Sequence, residues 1–263
     1  MKGALAMGRG FASRLQTYWS AAVEALGELV LPWECPVCGG AVEGTSAPFC
    51  DDCRGGLLAG AGDACPRCAR GVGPWAVRSE GCGECLGRRL GFDAAIALGT
   101  YEGAIRELCL GLKHQGNAWV APWLARVLLE ARPALRLEAD AAPGGVWVAA
   151  VPLHWSRRWS RGYNQADELA RGLADGLGLR KVNLLWRVKQ TPILPGLGRV
   201  QRLRSMRGAF RARRVTGLKG RTVFLVDDIL TTGATCGAAA RVLKRVGAAR
   251  VVAVVIGRAE GRS

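Results

Sequence analysis

At 263 residues and 49% apolar composition, the chain can bury one large core beside a small domain, which excludes general disorder. Lys and Arg number 37 against 21 Asp and Glu, a formal net charge of +16 that implies an anionic partner: nucleic acid, an acidic membrane surface or a polyphosphate. No apolar run approaches the ~18 residues of a membrane span and no secretory h-region stands out, so a cytoplasmic protein without a membrane span is expected.

Residues 1–31 read as an amphipathic helix. Phe11, Leu15, Tyr18, Trp19, Val23, Leu26 and Val30 recur mostly at helical spacing, with Ser, Arg, Gln and Glu between them. Docking onto its own chain is the expected role, ahead of lying on a membrane.

Residues 32–90 carry four Cys-x-x-Cys pairs: Cys35/Cys38, Cys50/Cys53, Cys65/Cys68 and Cys82/Cys85. A two-residue spacer lets both sulfurs of a pair reach one tetrahedral ion, and two pairs complete a four-thiolate site. The 11 residues between Cys38 and Cys50, and the 13 between Cys68 and Cys82, suit short hairpins. The pattern predicts a double zinc ribbon with two closed structural Zn2+ sites, replacing a core that so short a segment cannot build. First-with-second and third-with-fourth is the simplest pairing, but spacing alone also allows an interleaved one. Disulfides fit poorly without a secretory signal, and redox chemistry needs one pair at a helix start, not four in a Gly-rich stretch.

Residues 91–263 change to α/β texture. Ala94–Leu98 reads as a strand, Ala104–Leu112 and Ala121–Ala131 as helices, and Pro133–Gly145 as a linker or long turn. Lys113-His114 closes the first of these helices, where cations favour the dipole, and Cys109 packs on its apolar face. Val146–Val151 is a buried strand leading into a loop with Arg157, Arg158 and Arg161 interleaved with Trp155 and Trp159, then a helix over Gln165–Leu177. Those arginines could neutralise a pyrophosphate through bidentate contacts. A single-strand platform, with bases stacked on Trp155, Trp159 or Tyr163, competes with that reading, and a solvated basic loop is the third. Between Gly176 and Val226 there is no acid, while Arg199, Arg202, Arg204 and Arg207 fall in a segment read as a mobile basic loop.

The richest stretch is Val223 to Thr235. Four apolar residues form a short run that reads as a strand covered on both faces, and Asp227 and Asp228 stand at its carboxyl end, where open α/β sheets place ligands. Thr231, Thr232 and Thr235 supply hydroxyls, Gly233 lets a ligand approach the backbone without a Cβ in the way, Ala234 completes the loop, and a following helix aims its N–H groups at it. A phosphate cradle beside two carboxylates implies a ligand with a phosphate and vicinal hydroxyls. A Walker B strand would look similar, but Gly111 to Gly116 leads into Asn117-Ala118 where a P-loop needs Lys and Ser or Thr. A plain helix cap at Thr235 would require neither the acids nor so many hydroxyls.

This stretch resembles the ribose-phosphate motif of type I phosphoribosyltransferases. Together with Val151-Pro152-Leu153, Arg161 to Gln165 and the cysteine pairs, it is similar to the ComF family of competence proteins over about Cys35 to Arg258. It departs from that family at Leu194 and Ser205, where Gln and Asn are usual. The resemblance implies a phosphoribosyltransferase-like α/β fold, a mainly parallel sheet flanked by helices, behind an N-terminal double zinc ribbon. It also implies that Asp227 and Asp228 hold the ribose of 5-phosphoribosyl-1-pyrophosphate (PRPP) with Mg2+. Thr231 to Thr235 would take the 5-phosphate, Arg157, Arg158 and Arg161 the pyrophosphate, and the basic loop would close over the site. Expected partners are PRPP or another phosphorylated ribose, single-stranded nucleic acid, and proteins of the DNA-uptake machinery. An active phosphoribosyltransferase with an unknown acceptor and no DNA role is the alternative.

Overall fold

A computed structural model of the chain describes residues 33–42, 48–73, 81–114, 116–191 and 199–260. The helix expected over 1–31 and the Pro/Gly-rich stretch 192–198 lie outside these residues. Compact packing divides the chain into residues 1–50 and 51–263. No helix among the described residues is long and apolar enough to cross a membrane.

In the first unit, β1 (Trp33–Glu34) and β2 (Ala41–Val42) pair antiparallel around the first cysteine knuckle. The knuckle closes with Cys35 N donating to Gly40 O and Gly39 N to Cys35 O, both at 2.8 Å. The second unit opens on α1 (Asp51–Ala59) and repeats the device: Cys65 N donates to Arg70 O and Ala69 N to Cys65 O, again at 2.8 Å. The residue after each knuckle is left-handed, Gly39 at φ +72° and Ala69 at φ +56°. Two identical turns at matching positions make the internal repeat structural as well as sequential.

A parallel sheet fills the rest of the second unit, in the order β3 (Ala94–Thr100), β9 (Arg250–Arg258), β8 (Thr222–Leu230), β4 (Val146–Ala150) and β5 (Arg180–Lys181). Strands β8 and β9 are nearly continuous Val, Leu and Ile because helices cover both faces, the condition under which parallel strands lose alternation. On one face lies α8 (Ala234–Arg245), whose Ala239, Ala240 and Leu243 are wholly buried against Val223, Leu225 and Ala253. The other face carries α3 (Val120–Ala131) and α6 (Gln165–Leu177), with α2 (Gly103–Gly111) beside β9. Gly172 permits the close crossing of α3 and α6: a Cβ there would stand 2.7 Å from Pro122 Cα.

The stretch read as a linker holds α4 (Ala134–Asp140) instead. Pro133 opens it, Leu135 is wholly buried, and Glu138 pairs with Arg250 at 2.5 Å, so a single apolar anchor and one ion pair hold a helix too short to show a period. The tryptophan- and arginine-rich loop likewise contains α5 (Trp155–Arg161), capped by the His154 side chain accepting from Ser156 N at 3.4 Å. Finally β6 (Leu185–Arg187) and β7 (Phe210–Ala212) form an antiparallel ladder with α7 (Arg199–Ser205) between them in sequence.

Candidate functional site

Strand β4 stops pairing with β8 at Ala150↔Val226, whereas β9 follows β8 on through Asp227↔Val255 to Leu230↔Arg258. The two carboxylates therefore emerge where one neighbouring strand has left and a crevice opens. Asp228 is buried; its Oδ1 accepts from Ile229 N at 2.8 Å, and its Oδ2 accepts from Gln165 Nε2 at 3.1 Å and pairs with Lys113 Nζ at 3.5 Å. Among the described residues no cation pairs with Asp227. Its Oδ1 accepts from Asp228 N at 3.0 Å and its Oδ2 from the Cys236 thiol at 3.8 Å. Burial first, and the adjacent Asp228 charge second, push its carboxyl well above the usual carboxylate range, with Arg187 opposing them.

Gly233, at φ +75°, turns the chain from Thr231 and Thr232 into α8, and Ala234 N donates to Thr232 Oγ1 at 3.4 Å. The turn leaves the free N–H end of a twelve-residue helix facing the crevice, next to three threonine hydroxyls. A cavity of about 270 Å³ joins this turn to both aspartates.

Its far wall is cationic. Arg157 and Arg161 sit one turn apart on α5 and both line the cavity, while Arg158, about 100° round the helix from Arg157, is exposed and does not. Arg157 Nη2 donates to Thr191 O at 2.8 Å, and Arg161 Nη1 to Gln165 Oε1 at 3.3 Å. From the basic segment, Arg202 reaches the cavity and donates to Thr231 Oγ1 at 3.4 Å; Arg204 and Arg207 are exposed outside it, and Arg199 begins α7. Sequence reasoning did not assign Lys113, Gln165 and Arg187 to this site. Lys113 reads as a helix-end cation and Gln165 as the end of a motif, and only tertiary pairing of β6 with β7 brings Arg187 in. Arg187 Nη2 donates to Thr191 Oγ1 at 2.5 Å, and its Nε is buried without a partner. Burial, then the Arg157 charge, lower its affinity for its proton. Trp155 and Trp159 turn outward at 72% and 87% exposure, whereas the Tyr163 hydroxyl is committed to the carbonyls of Leu112 and His114.

The phosphoribosyl transferase domain family matches residues 161–263, and the double zinc ribbon domain family matches residues 26–86. Competence protein F of Haemophilus influenzae is 31% identical over 75% of this chain and 91% of its own. The chain belongs to the ComF family. DNA utilization protein YhgH is similar as well, 35% identical in Salmonella typhimurium and 32% in Escherichia coli K12, each over 71% of this chain and 80% of its own.

The zinc ribbons of this ComF family member group their thiols sequentially, Cys35, Cys38 and Cys50 together in the first unit and Cys65, Cys68, Cys82 and Cys85 together in the second, each group within 4.8 Å. The interleaved pairing is thereby excluded. Zn–S bonds of ~2.3 Å in a tetrahedron separate sulfurs by about 3.8 Å. Cys38–Cys50 at 3.8 Å, Cys65–Cys85 at 3.6 Å and Cys68–Cys82 at 3.5 Å fit that ion. Burial pushes the Cys65 thiol up, but N–H groups of Cys68, Arg67 and Cys82 outweigh it and bring it down to about 7, whereas burial holds the neighbouring Cys68 and Cys85 thiols above the usual range.

One buried side chain joins the second ribbon to the crevice. Arg258, at the end of β9, donates from Nε to Cys68 O at 2.8 Å and from Nη1 to Leu230 O at 3.1 Å and Thr231 O at 2.8 Å, with Ala259 O also in contact. It has no carboxylate partner among the described residues, so main-chain carbonyls alone hold the charge. A zinc ligand's carbonyl and the first threonine of the turn thus share one guanidinium.

Proposed function

We propose that this ComF family chain binds PRPP or a closely related phosphorylated ribose with Mg2+, and handles single-stranded DNA in the process for which its relatives are named. The observation that carries the sugar-phosphate reading is the convergence on one cavity of the Asp227/Asp228 pair, the helix end at Thr231–Thr235, and Arg157, Arg161 and Arg187. A ribose bridges acids and helix end naturally, its vicinal hydroxyls donating to the carboxylates and its 5-phosphate accepting from the N–H groups. The arginines then meet the pyrophosphate at its other end, where bidentate contacts suit them. Asp227, raised in proton affinity and without a cation of its own, and Arg187, with an unpaired buried Nε, are the polar groups such a ligand would satisfy. Mg2+ would supply charge neutralisation between the pyrophosphate and the acids.

The strand-binding part draws support from the exposed Trp155 and Trp159, one turn apart on α5, and from the surplus of cations. Contacts with DNA-uptake proteins belong to the same reading. An active phosphoribosyltransferase without a DNA role is the second reading; the arginine wall favours it, since it would stabilise a departing pyrophosphate as its charge grows. Titration calorimetry with PRPP·Mg2+ and then with single-stranded DNA separates them. Asp227→Asn should abolish PRPP binding and spare DNA binding. Undiminished PRPP binding by that variant would remove the basis of the sugar-phosphate reading, and turnover of PRPP without any strand affinity would favour the second.

A further inference from the structure

Next to the sugar-phosphate cavity, and sharing Met206 with it, lies a second cavity of about 480 Å³. One wall is the turn Arg207–Phe210 after α7; the other is the face of α8 that carries Ala238, Arg241, Val242 and Arg245. Among the described residues four cations line it, Arg207, Arg241, Lys244 and Arg245, and no carboxylate does. Lys244 is neutralised by Asp93 at 2.5 Å. Among the described residues the three arginines form no ion pair, so like charges are held together without a counterion. The strain registers at Arg241, whose hold on its proton is weakened by burial and then by Arg245 and Arg207.

Two features identify what would relieve it. Arg241 and Arg245 are one helical turn apart, about 6 Å along the axis, and Arg207 stands on the opposite wall, so several successive anionic groups are accommodated and not one. The floor between them is apolar, made of the buried Phe210, Ala238 and Val242, and it suits the sugars and bases of a polymer better than a bare anion. We propose that this groove is a track for the backbone of single-stranded nucleic acid running alongside the sugar-phosphate cavity. The proposal rests on the reading that the chain handles single strands, and is independent of which sugar phosphate it binds.

Fluorescence anisotropy of labelled oligothymidylate, titrated over a range of salt, tests it on the full zinc-loaded chain. Arg241→Ala/Arg245→Ala should bind at least tenfold more weakly. Its slope of log affinity against log salt should be shallower by about 1.4, the share of two single-strand phosphate contacts. Arg207→Ala, on an exposed turn, should lower the slope by about half as much and covers the case in which the double variant does not fold. Arg126→Ala/Arg171→Ala, an equal charge loss across the sheet, should leave the slope unchanged. If the wild-type chain fails to bind the oligonucleotide at moderate salt, the strand-handling reading itself fails. If it binds and the groove variants bind equally well, the groove alone is overturned. Competition by tripolyphosphate as effective per phosphate as the oligonucleotide would overturn the nucleic-acid assignment in favour of a free polyanion.

Discussion

Asp227 shows how one side chain can link ligand and acidity. Its carboxyl is raised, so in the ligand-free fold it keeps a proton that the unfolded chain releases near pH 4. The fold therefore has this contribution in full below that pH and loses ~1.4 kcal/mol per unit as pH rises, until the folded carboxyl itself ionises. Asp227→Asn removes the dependence. Without ligand it should melt above the wild type at neutral pH, by about 2–4 °C for each kcal/mol regained, and the gap should close towards pH 4 in a melting series. Binding of PRPP with Mg2+, if it brings the divalent cation beside this carboxyl, should expel that proton, which calorimetry in buffers of different ionisation heat detects; a heat independent of buffer counts against it. The aspartate pair was legible in the sequence because both acids follow a short apolar run, a purely local signal. Arg187 was not, because its place beside Asp227 comes from the pairing of Leu185 with Ala212 and Arg187 with Phe210, and no local pattern announces a ladder of three residues.

At the scale of the element, α5 sorts its residues by angle. Two tryptophans and three arginines give no apolar period, which is why the stretch read as a loop, yet helical geometry decides which arginines can share a ligand. Arg157→Ala and Arg161→Ala should each weaken binding of a pyrophosphate-bearing ligand by about tenfold to a hundredfold, the range of a lost charge-assisted hydrogen bond. Arg158→Ala should leave it within about twofold. A loop would make the three equivalent, so equal losses measured by titration would contradict the helical arrangement. The same lesson applies to α4, where Leu135 alone provides the buried contact and Pro133–Gly145 therefore carries turn residues at both ends of a helix. Elements with two buried faces, such as β8 and β9, left a stronger trace in composition than these short amphipathic pieces.

For the whole molecule, the cysteine spacing disclosed both ribbons, while the sequential pairing and the bridge through Arg258 needed three dimensions. Removing Cys68 or Cys85 should free the second knuckle and loosen the carbonyl that Arg258 grips. Cys85→Ser is expected to lower zinc content from two to one per chain and weaken the sugar-phosphate ligand severalfold, although no ribbon cysteine lines that cavity. Arg258→Met should leave both metals bound and produce the same weakening. Metal analysis beside calorimetry distinguishes the two variants, and unchanged ligand affinity in Arg258→Met would show that the bridge is structural only.

A coupling of this kind runs in both directions. If losing the ion slackens the threonine turn, then a ligand seated on the turn must tighten binding of the ion by the same free energy. Stripping zinc from the second ribbon at equilibrium should accordingly take more of a coloured chelator in saturating PRPP. Thiol oxidation there would in turn weaken the proposed sugar-phosphate binding severalfold, so a domain present for architecture would also report the redox state around it.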